Sequence, residues 1–482
     1  MRALAKFPSR SWALLSTLLL VLYAHQQWWF VPGSAVRTHD GSRSSAATIA
    51  DSGQLPGQGA HLQLVYRGWI GFANIGDDIV EDIFFELLAG SLRRELPELS
   101  GVSFKVRKHK AITVPLAEHD LFVLGGGSLL DLEYMSFVRD GLDAGKPVYL
   151  HGTGYQYGGG QHDLFSDGVD PTAVLGGTRG PMSQARVLDE LKIKVPMVYD
   201  SALAALELFG ANASSATAAM ISDKRKALGG KVVVIVGTHV SNMEKWKDDF
   251  RKKTLDFLEA WAGVCARLSS NDGEGAVVVV LLDLDGFAAP QNQFLLDRCL
   301  ALGGTAANVV HPHFTEKWPE FLATLQAADV TLSARLHSGI LSAAVGTPFA
   351  FFPSPGMTVK AKYDDFERSI GWSTTELFGA PRVDAEYARH VIGVAHSHSA
   401  RLRASLLAHA GRCLRAHTMA VDRAVAEVLR RRSEWAEALR QQLQMRGKRW
   451  LAFKCAQVVK LGVLSCAGGV ETKRQEFDEH AD

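Results

Sequence analysis

Two residues in "SARLHSGILSAAVGTP", Ser333 to Pro348, are of types that hold an anion and move a proton. Arg335 carries a planar fork that pairs carboxylate or phosphate at two points. His337, one residue beyond Leu336, bears a ring that titrates near neutral pH. The preceding "DVTL" reads as a strand and the following "GILSAAVG" as a helix of small residues, with Ser338 the expected cap. Both groups would then lie at a helix start, where free backbone N–H groups already favour negative charge.

Other strand ends carry chemistry of the same kind. "NIGDD" offers Asn74, Asp77 and Asp78; one Asp suffices to cap a helix, leaving Asn74 and the other carboxylate as functional candidates. In "GGGSLLD", Gly125 to Gly127 permit a tight turn that is expected to lead straight into a helix, with Gly126 and Ser128 as substrate-binding candidates. It is neither a dinucleotide fingerprint nor a P-loop. "HGTGYQYGGG" places His151 and Tyr155 where a cleft wall is expected. "GGTRGPMS" sets Arg179 between glycines, a position that matters if the cleft holds an anion.

The elements that must position these groups alternate between strand and helix. "LQLVYRGWI", "DLFVLGGG" and "KPVYLHGTG" are strand-like, "DDIVEDIFFELLAGSLRREL" and "PMSQARVLDELKI" helical, and "VPMVYDSAL" reads as a strand and turn. This predicts an α/β domain over residues 61–215. "SATAAMISDKRKALGG" reads as a linker. A second α/β domain, residues 228–380, is expected from "KVVVIVG", "GAVVVVLLDLDG", "AANVVHP", "ADVTLSA" and "TPFAFFP", runs apolar enough to be covered on both faces. An Ala/Leu/Arg-rich helical tail, residues 381–482, is expected to fold back across the first domain. Two such sheets leave a cleft outside their strand C-termini, where ligands of α/β folds bind.

Acidic and basic residues nearly balance across the 482-residue chain, at a net charge of +1, which argues against a nucleic-acid partner. Arg2, Lys6 and Arg10 form a basic tail, residues 1–10, ahead of an apolar segment, residues 11–31, about one bilayer crossing in length. A Ser/Gly-rich stem, residues 32–60, follows. The expected placement is the Golgi membrane, single-pass and type II, with a lumenal catalytic body, or secretion if the segment is cleaved after Ala35. The sequon Asn212-Ala213-Ser214 is compatible with it. Five cysteines without CxxC spacing exclude a zinc ribbon and leave room for one disulfide.

Taken in order, "NIGDD", "GGGSLL", "GKPVYLHGTGY", "TRGPMSQARVL", "VYDSAL", "ADVTLSARLHSGILSAAVGTP" and "KAKYDDFERSIG" resemble the polysaccharide pyruvyl transferase family. The resemblance spans about residues 69 to 372, and "RLHSGIL" is its most specific piece. It implies a glycosyltransferase-B-like fold of two Rossmann-like domains. It also implies transfer of a pyruvyl group from phosphoenolpyruvate to two hydroxyls of a glycan sugar such as galactose, giving a cyclic ketal and phosphate. By position it makes Arg179 and Arg335 donor-binding cations, Leu336 part of the donor pocket through its backbone, and His337 the acid/base residue. Asp77 takes an acidic position of the same motif set and Lys362 a basic one, although "PSPGMTV" lengthens the loop before Lys362. Phosphoenolpyruvate carries a carboxylate and a phosphate, which suits two arginines and a helix start. The scheme calls for no metal or other cofactor.

Two rival readings share parts of this pattern. A Golgi nucleotide-sugar glycosyltransferase would use Asp283-x-Asp285 in "LLDLDG" to hold a metal. A membrane-tethered glycan-binding protein would not need two arginines and a His in one cleft. "HPH", His311 to His313, lacks a third ligand at metal-binding spacing and reads as cleft wall or core.

Overall fold

The computed structural model describes residues 62–68, 75–95, 104–108, 119–155, 170–211, 215–237, 248–270, 277–282, 289–312, 318–352 and 360–446. All of these belong to one unit that starts at Ser52. The expected basic tail, apolar segment and stem, together with Asn74, the Asn212 sequon, Asp283, Asp285 and His313, lie outside the described residues.

The short apolar runs become parallel strands because each can be buried on both faces. β1 (Leu62–Arg67), α1 (Ile75–Glu95), β2 (Phe104–Lys108), β3 (Leu121–Leu124), β4 (Gly127–Leu130), α2 (Leu132–Asp143), β5 (Val148–Tyr155), β6 (Val174–Thr178) and α3 (Pro181–Leu191) make up the first half. Its strands form a six-stranded parallel sheet in the order β2-β1-β3-β5-β4, with β6 paired to β5. α4 (Ala205–Phe209) and α5 (Ala216–Leu228) lead onward. The second half holds β7 (Lys231–Val236), α6 (Asp248–Ser269), β8 (Val277–Leu281), α7 (Ala289–Ala301) and β9 (Val309–Val310). It continues with α8 (Trp318–Gln326), β10 (Val330–Ser333), α9 (Leu336–Ala344), β11 (Phe349–Phe351), α10 (Lys360–Ser369) and α11 (Thr374–Phe378). Its five strands run parallel in the order β11-β10-β7-β8-β9. Two parallel α/β sheets in one chain give the glycosyltransferase-B-like architecture.

Strand periodicity sets the core. Leu64, Tyr66, Val123 and Tyr149 pack on Ile79, Ile83 and Phe84 of α1, in a cluster continuous with the core of the second sheet. Val65, Phe122, Leu124 and Leu150 face the opposite way, onto Phe137 and Val138 of α2 and Val187 of α3. A disulfide between Cys265 of α6 and Cys299 of α7 staples two helices of the second half, while Cys413 is a buried thiol.

α12 (Ala385–Ser397) and α13 (Ser399–Arg446) close the described chain. α13 folds back across the first half, as the tail composition implied. It starts against Gly346 at the end of α9, where Arg403 and Leu407 pack, and ends on the first sheet. There Arg432 pairs with Asp120 at 3.0 Å, Arg94 of α1 with Asp422 at 2.7 Å, and Arg431 donates to the Gly145 carbonyl at 3.2 Å. Asp120 also accepts from the Gln63 amide at 2.8 Å, so one carboxylate ties β1 to α13.

Several sequence expectations are corrected. "GGGSLL" is not a turn into a helix: Gly127–Leu130 is strand β4, and α2 begins later behind the N-cap Asp131, whose carboxylate accepts from the Tyr134 amide at 3.1 Å. "SATAAMISDKRKALGG" is not a linker but α5, capped by Ser215, anchored by buried Ile221 and ended by Gly229 at φ 61°. "VPMVYDSAL" makes a single bridge, Met197 to Thr178, because Pro196 has no N–H for a ladder, and a 3-10 turn then opens at Asp200. His151 lines no cleft. β5 runs through it to Tyr155, and its ring is wholly buried against Phe84, Tyr149 and His417. The single-pass type II Golgi placement is likewise not upheld, since no helix among the described residues is long and apolar enough to cross a membrane.

The Arg432–Asp120 pair gives a direct check on the returning helix. Arg432→Ala is expected to cost about 1–3 kcal/mol in urea denaturation, and Arg432→Lys to recover only part of it, because an ammonium cannot match the two-point fork.

Candidate functional site

The Arg335–His337 segment sits where β10 turns into α9. Ser333 fixes the turn: its Oγ accepts from the Arg335 amide and donates to the Arg335 carbonyl, both at 2.8 Å. Ser338 is not the cap expected from the sequence. It lies inside α9 and donates back to the Arg335 carbonyl at 2.7 Å, while Arg335 itself is the N-cap and contributes no side-chain cap. The first N–H groups of α9, those of Leu336 and His337 among them, therefore have no capping oxygen from the cap residue. Leu336 leans on the core and His337 is nearly buried.

α1 brings its own first turn to the same place. His337 Nε2 lies 3.9 Å from Asp77 Oδ1. The approach needs glycine: a Cβ on Gly76 would fall on the His337 ring, and one on Gly127 would come within 2.7 Å of Asp77 Oδ1. Gly126, by contrast, packs against Val80 of α1, so it seats a helix rather than facing this cluster. Gly154 and Gly180 play the Gly76 role again, the first under the Arg179 guanidinium and the second under the Asp365 carboxylate.

Arg179 follows β6 and is wholly buried. Its Nη2 donates to Ser128 Oγ at 3.3 Å. Nη1 lies 3.8 Å from Asp200 and Nε 3.8 Å from Asp365, and neither of these nitrogens has a hydrogen-bond partner among the described residues. Asp365 comes from α10 in the second half, yet it caps α3 in the first. Its Oδ1 accepts from the Met182 amide at 2.8 Å and its Oδ2 from Ser183 Oγ at 2.5 Å. The starts of α2 and α3 are thus each occupied by a carboxylate, Asp131 and Asp365, whereas the cap residue of α9 is a cation, Arg335, whose side chain makes no cap.

Lys362 lies three residues before Asp365 on α10, on the same helical face. Burial, then the charges of Arg179 and Arg335, lower its ammonium to a pKa of about 8, against the pull of Asp77 and Asp131. Asp77 moves the other way. Burial, the Asp200 charge and Asp78 raise its carboxyl to about 8, although Arg335 and Lys362 oppose the shift. Asp77 therefore resists ionising at neutral pH, beside an imidazole and within reach of two cations, Arg335 and Lys362.

The structure thus gathers Asp77, Ser128, Arg179, Arg335, Leu336, His337 and Lys362 at one junction of the two halves, with Gly126 behind them; Asn74 lies outside the described residues. Sequence reasoning missed Asp200 and Asp365 as site residues. Asp365 had a readable signal, its i,i+3 spacing from Lys362. Asp200 had none beyond its place in "VYDSAL".

A family profile described as polysaccharide pyruvyl transferase matches residues 73–354, and the chain belongs to that family. No curated protein matches the sequence. Among solved structures, the chain is similar to a UDP-GlcNAc 2-epimerase from Neisseria meningitidis bound to UDP-GlcNAc, at TM-score 0.40 and 12% identity over 77% of this chain and 100% of that one. It is similar also to a ugt transferase from Siraitia grosvenorii in complex with UDP, at TM-score 0.40 and 14% identity over 76% and 100% of the two chains. The MnaA–UDP structure from S. aureus gives TM-score 0.41 and 11% identity over 72% and 90%.

Two checks follow from this geometry. The folded chain keeps a proton on Asp77 that the unfolded chain releases near pH 4, so its stability falls as pH rises from about 4 to about 8. Asp77→Asn removes that loss, and its unfolding free energy in urea denaturation is expected to gain on wild type across this window by at most about 1.4 kcal/mol per pH unit, then hold level above it. Asp365→Ala is expected to lower stability by about 1–2 kcal/mol through loss of the α3 cap, while Asp365→Asn, whose amide oxygen still accepts, retains most of it in thermal melts.

Proposed function

We propose that this member of the polysaccharide pyruvyl transferase family uses phosphoenolpyruvate as donor and closes a cyclic pyruvate ketal on two hydroxyls of a glycan sugar. The observation that carries the reading is the cluster at the start of α9. Arg335 and Lys362, with Arg179 behind Ser128, gather at a helix start whose cap residue is itself a cation, and the Asp77 carboxyl, its pKa raised to about 8, and the His337 imidazole stand beside it. A small molecule carrying a phosphate and a carboxylate matches that distribution of charge.

In this reading the donor's anionic groups lie against the first N–H groups of α9, with Arg335 and Lys362 as direct contacts. Arg179, too buried to be a surface ligand, contributes a fixed charge through Ser128. The incoming negative charge holds Lys362 as ammonium and keeps the proton on Asp77. Asp77 is then the acid that protonates the donor's methylene carbon, making its C2 electrophilic. A sugar hydroxyl attacks C2 as His337 takes its proton. Phosphate leaves, and the second hydroxyl closes the ring. Two hydroxyl protons are lost in all: one restores the proton given to the new methyl group, and the other departs on phosphate. A carboxyl with a pKa of about 8 beside an imidazole divides acid from base at neutral pH.

The test is incubation of the chain with phosphoenolpyruvate and a panel of galactosides, following phosphate release and the mass of the product glycan. His337→Ala is expected to lower turnover by about 100-fold or more while the thermal melt stays within a few degrees of wild type. Release of nucleotide from a sugar nucleotide, or unchanged turnover by the His337 variant, would refute the proposal.

A further inference from the structure

Asp200 shapes the site from behind: its carboxylate lies 3.8 Å from Arg179, and its charge is among those that raise Asp77. The backbone that delivers it is strained. Tyr199, immediately before Asp200, has φ 71°, a left-handed conformation that is strained for a non-glycine residue of its bulk. Such a conformation persists only where its surroundings over-determine it.

Those surroundings come from two directions. Below, Gly152 at φ 64° leaves room for the Tyr199 carbonyl, since a Cβ there would sit 2.5 Å from that oxygen. Above, the carbonyl meets His417 of α13, with Nε2 at 3.2 Å. One turn earlier on the same helix, Cys413 Sγ donates to the Asp200 carbonyl at 3.3 Å. Two consecutive carbonyls, on either side of the Asp200 amide, are therefore gripped by one helix face. His417 is wholly buried and held neutral by burial, with its pKa lowered to about 4, so it serves as a fixed donor through Nε2–H. Its ring edges onto His151 at 4.8 Å between centroids, and His151 is itself neutral and wholly buried.

We propose that His417 is a positioning residue of the active site: through the Tyr199 carbonyl it aims the Asp200 carboxylate at Arg179, and so governs the charge that Asp77 feels. The inference rests on Asp77 as the acid of the proposed reaction. The charged and titratable groups that bear on the chain of contact are few. His417 faces His151 and Cys413, and Asp200 faces Arg179, Asp365 and Cys413. Asp77 faces Asp78, Asp200, Arg335, Lys362 and His337, with the phenols of Tyr66 and Tyr134 also in its field. Releasing the Tyr199 carbonyl lets φ relax toward negative values and swings Asp200 away. Asp77 then loses a neighbouring negative charge and Arg179 loses a partner, and both changes favour the ionised form of Asp77.

The experiment is the pH dependence of kcat/KM for His417→Leu and His417→Gln, together with a ¹³C NMR titration of the Asp carboxyls in which Asp77→Asn assigns the Asp77 signal. For His417→Leu, the alkaline limb and the Asp77 titration are expected to move down together by about one pH unit or more. His417→Gln, whose amide nitrogen can donate in place of Nε2–H, is expected to restore both. A uniform loss of activity with the limb and titration unmoved would make His417 merely structural and overturn the proposal. If His417→Leu does not fold, Cys413→Ala removes the parallel hold on Asp200 and carries the same expectation and the same refutation. Absence of pyruvyl transfer by wild type would defeat the proposed function alone, since the Asp77 titration reads the positioning role without turnover.

Discussion

A guanidinium cannot be buried without counter-charge, and Arg179 is fully buried. The carboxylates that answer it come from opposite halves of the molecule, Asp200 from the chain after the first sheet and Asp365 from α10 beside the second. This requirement joins the halves at one point. It fixes α10 against α3 through the Asp365 cap, brings Lys362 alongside, and leaves the start of α9, whose cap residue is the cation Arg335, as a place where an added anion meets positive charge. The separations of 3.8 Å show charges balanced through space rather than locked in tight hydrogen-bonded pairs, so the guanidinium's field remains available to its surroundings.

The same arrangement accounts for the protonation pattern. Burial, and then the charges of Asp200 and Asp78, make Asp77 resist ionising; burial, and then two arginines, make Lys362 give up its proton more readily than usual. A site that mixes like charges in this way is costly to fold empty and is relieved by a ligand of opposite sign. In the proposed function that ligand is the phosphoenolpyruvate donor. Glycine takes part in the electrostatics by being absent as a side chain: at Gly76, Gly127, Gly154 and Gly180 the backbone admits an imidazole, a carboxylate, a guanidinium and a second carboxylate closer than any other residue would allow.

Much of this was legible in the sequence, because strands buried on both faces announce themselves as Val/Ile/Leu runs. All five apolar runs of the second half became strands, and the strand-turn-helix at Arg335 to Ala344 was placed correctly. What misled was local composition whose meaning is settled by distant contacts. Ser338 has the right type for a cap, but Ser333 had already secured the turn. The glycines of "GGGSLLD" suggest a turn into a helix, yet neighbouring β5 supplied a partner and drew Gly127–Leu130 into the sheet. His151 reads as a polar strand end, and only the return of α13 made its position an interior one. Asp200 and Asp365 escaped notice because their roles exist only across the junction of the halves. The family resemblance carried Arg179 forward as a donor ligand; what the sequence did not show is that its guanidinium is buried near Asp200 and Asp365.

The path of α13 has a consequence for how the molecule comes into being. The helix leaves the second half beside Gly346, grips Tyr199 and Asp200 with His417 and Cys413, and reaches the first strand only at Arg432. A ribosome delivers the first sheet hundreds of residues before it delivers the helix that secures it. The amino-terminal half must therefore wait, its Asp200 carbonyl not yet gripped by Cys413, until α13 has emerged.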